Sequence, residues 1–88
     1  MKTSKQICGG ILNAFRSNNW MYNEGLFNDL EYLADRLDCD RHPSAWRVKI
    51  AYEVLDEAVT LLNEGEDLGW AKVELCKRLL RKTSRTLR

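Results

Sequence analysis

Leu26-Phe27-Asn28-Asp29-Leu30-Glu31-Tyr32-Leu33-Ala34-Asp35-Arg36-Leu37 repeats leucine at intervals of four, three and four. That spacing returns the side chain to one side of a helix at every turn, and Phe27 and Ala34 widen the seam. Glu24, Glu31, Asp35 and Asp38 fall within about 60° of one another on a helical wheel, well away from the leucines. A strand would need alternation with period two, which no window of the chain sustains. The stretch therefore predicts an amphipathic helix over residues 26–37. Such a helix cannot bury its seam alone, so its partners must lie on either side in the sequence.

Upstream, Thr3 and Gln6 stand at the spacing of a capping box, and Ile7, Cys8, Ile11, Leu12 and Phe15 follow with helical period. A first helix is predicted over 4–17, closing at the turn-forming Ser17-Asn18-Asn19. Gly9-Gly10 inside it should cost about 1 kcal/mol each relative to alanine. Either something approaches the backbone closely there, or the helix begins after the pair. Downstream, Pro43 pushes His42 out of helical geometry and suits a helix start. A third helix over 44–63 carries Val48, Ile50, Ala51, Val54, Leu55, Ala58, Val59, Leu61 and Leu62 across about half its circumference, the pattern of a central helix, and ends at Gly65. Asp67 is placed to cap a fourth helix over 68–85, and Leu68, Val73, Leu75, Cys76, Leu79, Leu80 and Leu87 take one side of it. Four helices with short connections in one domain make the fold all-α, a compact four-helix bundle.

Composition agrees. The 88 residues are 44% hydrophobic and 31% charged, with one proline and five glycines, which suits a helical globule and excludes sandwiches and linkers. A chain of this length buries roughly 60–65% of its unfolded surface, enough for one core. Residues 1–15 contain no long apolar run of the secretory kind. Cys8, Cys39 and Cys76 are odd in number and widely spaced, which reads as reduced thiols and points to the cytoplasm.

Charge is strongly segregated. From Glu24 to Asp67 there are 12 acids against 4 bases, and from Lys77 to Arg88 there are 6 bases and no acid. Lys77, Arg78, Arg81, Lys82, Arg85 and Arg88 share a sector of about 140° on the fourth helix. Such a face could contact an acidic protein surface or the phosphates of a nucleic acid, although a charged helical face is commonly just solvated. No membrane is implied as partner. The acidic stripes, including Glu53, Asp56, Glu57 and Glu64, read in the same way as solvated faces or as a mimic of a phosphate backbone. Trp20, Tyr22 and Trp46 are the aromatic candidates for interface anchors, since aromatic side chains are enriched at interface cores, with filling of a small core as the alternative use of such large rings.

Catalytic patterns are thin. The chain has one histidine, no glycine-rich phosphate loop and no nucleophile elbow, and it is expected not to be an enzyme. Cys39-x-x-His42 with Cys8 and Cys76 could supply zinc ligands, but only one close pair exists and the other two thiols sit on apolar faces. No metal or other cofactor is expected. One helical domain without a catalytic motif and with segregated charge resembles the short accessory proteins of bacteriophages and mobile elements. That likeness implies a viral inhibitor or regulator of a host protein. The expected function is a protein-binding module using Trp20, Tyr22 and Trp46 with Arg78, Arg81, Lys82 and Arg85. The alternatives are a nucleic-acid-binding protein using the basic helix and a structural homo-oligomer.

Overall fold

The computed structural model describes residues 2–17 and 20–87, with the side chain of Tyr22 outside the description. Four helices form it: α1 (Ser4–Ala14), α2 (Glu24–Cys39), α3 (Ala45–Asn63) and α4 (Leu68–Thr86), with a short 3-10 turn at Trp20–Tyr22. The architecture is the predicted all-α bundle, and there is no strand among the described residues.

The leucine seam of α2 decides the packing. Leu26, Leu30, Leu33 and Leu37 are all buried, and they meet Cys8 and Ile11 of α1, Val48, Ala51 and Leu55 of α3, and Val73, Cys76 and Leu80 of α4 in one core. Each helix packs against two others in a closed ring, α1–α2–α3–α4–α1, with no comparable contact across the diagonals. The expected central position of α3 is therefore corrected. Its broad apolar arc serves two flanks, α2 and α4, and it is one wall among four.

Neighbouring helices run antiparallel. Arg36 Nη1 donates to the Lys2 carbonyl at 2.6 Å, joining the end of α2 to the start of α1. The Ser44 and Thr86 hydroxyls lie 2.9 Å apart, and Lys72 pairs with Glu57 at 2.8 Å, which fixes the register of α3 on α4. At the other end of that pair Gly69 is indispensable as glycine. A Cβ there would sit 2.6 Å from Cγ of Leu62 and 2.8 Å from the Ala58 carbonyl oxygen. Ser4 of α1 and Leu87, just past α4, line one cavity at a shared pole with Leu37, Asp40 and His42.

Several helix ends differ from expectation. The capping box of α1 forms as predicted, Thr3 Oγ1 accepting from the Gln6 N–H and Gln6 Oε1 from the Thr3 N–H. α1 stops at Ala14, because Phe15 turns inward to pack on Trp20 with ring centroids 5.3 Å apart. Asn18 and Asn19, read as turn formers, lie outside the described residues. α2 begins two residues early, since Asn23 Oδ1 caps the Gly25 N–H at 3.0 Å. It runs on to Cys39 and closes with a Schellman motif: His42 N–H donates to the Leu37 carbonyl, Arg41 N–H to that of Asp38, and Arg41 takes φ 54°. Gly65 closes α3 in the same way, with φ 80° and donation from the Glu66 N–H to the Leu61 carbonyl. Asp67 makes no side-chain cap, because its backbone is already helical. Both expectations for Gly9-Gly10 fail. The helix runs through them, and a Cβ at either would meet nothing within 4 Å.

Candidate interaction surface

The antiparallel register of α3 on α4 places Leu68 beside Leu61, Leu75 beside Val54 and Leu79 beside Ile50. On the outer side of this hairpin Ile50, Leu68 and Leu75 stay 39%, 61% and 41% exposed. Val54, Leu61 and Leu79 are half-buried between them. The sequence assigns all six to apolar packing faces, and the structure corrects this for Ile50, Leu68 and Leu75. The ring of four helices leaves the outer flank of the α3–α4 pair without a neighbour, so an apolar arc of about half a helix exceeds what the core can cover. The ion pair of Lys72 with Glu57 crosses the strip.

Trp46 stands at the start of α3, 56% exposed, with the Arg47 guanidinium carbon 5.3 Å from its ring centroid. It is the one proposed aromatic anchor that the structure places on the surface. Trp20 is a correction. It is 6% exposed and packed on Phe15, so its indole belongs to the core and cannot meet a partner without unfolding the turn that holds it. The side chain of Tyr22 lies outside the described residues.

Arg78, Arg81, Lys82 and Arg85 are all exposed on α4, and none forms an ion pair with another described residue. Helical rotation divides them. Lys82 and Arg78 follow Leu75 on the side of α3, while Arg81 turns towards α1 and Arg85 stands one turn beyond Arg81. Arg88, sixth of the predicted basic sector, lies outside the described residues. On the α1 side Arg81 meets Lys77, Arg16, Asn13 and Gly9 around a groove of about 320 Å³, floored by Leu12 and Phe15. Lys77 pairs with Glu74 at 3.1 Å and holds its ammonium 5.7 Å above the Phe15 ring.

Sequence reasoning missed the share of α1 in this basic wall. The signal was present, for residues 1–23 contain Lys2, Lys5 and Arg16 and no acid. Counted together, the α1 and α4 segments (1–23 and 68–88) hold 10 bases and Glu74 as their single acid, against the acidic wall of α2 and α3. The molecule is electrostatically two-sided.

The thiols do not gather. Cys8 donates to the Leu80 carbonyl at 3.4 Å and Cys76 is fully buried, while Cys39 is exposed at the end of α2. Burial pushes the Cys8 thiol up to about 11. It pushes Cys76 up to about 12, against a small opposing pull from Lys77. Nδ1 of His42 accepts from the Ser44 N–H at 3.1 Å. Among the described residues no three His, Cys, Asp or Glu side chains converge as metal ligands, and no helix is long and apolar enough to cross a membrane. No protein-family model, curated protein or solved structure matches the chain.

Proposed function

We propose that the protein is a non-enzymatic protein-binding module whose working surface is the outer flank of the α3–α4 hairpin. The observation that carries this reading is the exposed row Ile50, Leu75 and Leu68, bracketed by Trp46 and by the unpaired Arg78 and Lys82. Apolar and aromatic side chains supply the desolvated centre of an interface, and the cations supply a rim that selects an acidic partner. In size and segregated charge the module suits a short accessory protein of a bacteriophage or mobile element that occupies a host protein and so regulates or inhibits it. Three free thiols suit a reducing compartment such as the cytoplasm.

Affinity capture from lysate, with and without nuclease, tests the assignment when wild type is compared with Trp46→Ala/Leu75→Asp. Wild type should retain a stoichiometric protein after nuclease, and the double variant should lose it while keeping its helicity and melting temperature. Equal capture by both proteins would remove the α3–α4 flank from the function. Self-association of the pure protein that this variant abolishes would replace the foreign partner with a second copy, the structural-oligomer reading.

A further inference from the structure

We infer that the groove between α1 and α4 binds the sugar–phosphate backbone of a nucleic acid, at a site separate from the α3–α4 flank. The groove is lined by Arg16, Lys77 and Arg81 with the Asn13 amide; no carboxylate lines it among the described residues, and the neighbouring Glu74 is turned onto Lys77. Arg16 and Arg81 make no ion pair with any described residue, so their charge is available to a ligand. Lys5, one turn before Gly9, and Arg85, one turn after Arg81, continue the cations towards the same pole. Along α4 the run from Lys77 to Arg85 covers about 12 Å at the rise of an α-helix. A linear row of this kind matches a polyanion better than a single small anion, which a converging cup would favour.

Two features weigh against a merely solvated face. The helix dipole accounts for cations in the last turn of α4, where Arg85 lies, but Lys77 and Arg81 stand inside the helix. Gly9 forms one wall of the groove, and nothing in the fold requires it, since a Cβ there would meet open space. Without a side chain at that position the floor of Leu12 and Phe15 stays open to a backbone lying across it. Phe15 is 8% exposed and offers no face for a base to stack on, so recognition is of phosphates and independent of sequence.

The test is fluorescence anisotropy with a labelled mixed-sequence DNA, single-stranded and duplex, titrated at several salt concentrations. Engagement of the three lining cations and Arg85 predicts a log–log salt slope of about −3 to −4 for duplex and a shallower one for the single strand. Gly9→Glu places a carboxylate in the groove without a steric clash and should weaken binding at least tenfold with helicity unchanged. Arg16→Glu/Arg81→Glu should do the same, covering the case in which Gly9→Glu does not fold. Trp46→Ala/Leu75→Asp should bind DNA like wild type, which keeps this proposal separable from the preceding one. Salt-independent binding, or affinity unmoved by both groove variants, overturns it. Binding of inorganic phosphate without oligonucleotide, or salt-sensitive self-association that Gly9→Glu abolishes, overturns it in favour of a small anion or the acidic wall of a second copy.

Discussion

Cys8 and Cys76 sit in the dry core, while Cys39 faces water, so the three thiols should differ sharply in reactivity. An aromatic disulfide reagent should modify Cys39 at once in the native protein and reach the other two only on unfolding. The pH consequence follows from the direction of their shifts. Both thiols hold their protons more tightly when folded, being raised from 9.0 to about 11 and about 12. Stability from this source is complete below pH 9 and drains away as the pH climbs through 9 towards 11 and 12. The unfolding free energy in urea should therefore fall between pH 8 and pH 10, and fall less steeply in Cys8→Ala/Cys76→Ala. Arg41 offers a second residue-level test. It holds φ 54° where helix endings favour glycine. Relief of a penalty of about 1–2 kcal/mol, less the greater chain entropy of glycine, should leave Arg41→Gly more stable by up to about 1 kcal/mol.

At the scale of elements, glycines separate by what surrounds them. Gly69→Ala drives a methyl into Leu62 and the Ala58 carbonyl, forces α4 off α3 and should cost about 1–3 kcal/mol in denaturant titrations. Gly9→Ala meets open space in mid-helix and should gain up to about 1 kcal/mol. The leucine spacing of α2 made that helix legible, because periodicity reports which side of a helix is apolar. Gly65 was legible as the end of α3 because its residue type declares a left-handed backbone. The matching end of α2 was not, since its motif is made by backbone hydrogen bonds from Arg41 and His42 and leaves no glycine in the sequence. A wheel also gives the direction of a side chain but not whether a neighbour stands there. Ile50, Leu68 and Leu75 therefore read as core, and Trp20 as core or anchor alike, whereas the ring of helices exposes the first three and buries the last. The basic groove escaped for a related reason: Arg16 and Arg81 are distant in sequence, and only the α1–α4 contact brings them together.

For the molecule as a whole, the ring of contacts closes because α4, the last helix, packs back onto α1, the first, although they are distant in sequence. One wall is basic and the opposite one acidic, and α4 is shared between the apolar flank and the basic groove. A partner on α3–α4 and a nucleic acid on α1–α4 could thus be held together, within one helix diameter of each other. Ser4 and Leu87 line the same cavity, so these two residues stand close enough to be joined. A short linker between them, with the chain reopened at Gly65, would give a circular permutant in which every helix keeps its neighbours. Such a molecule should unfold cooperatively with the helicity of the original. The order in which the helices leave the ribosome would then be an accident of where the loop was cut.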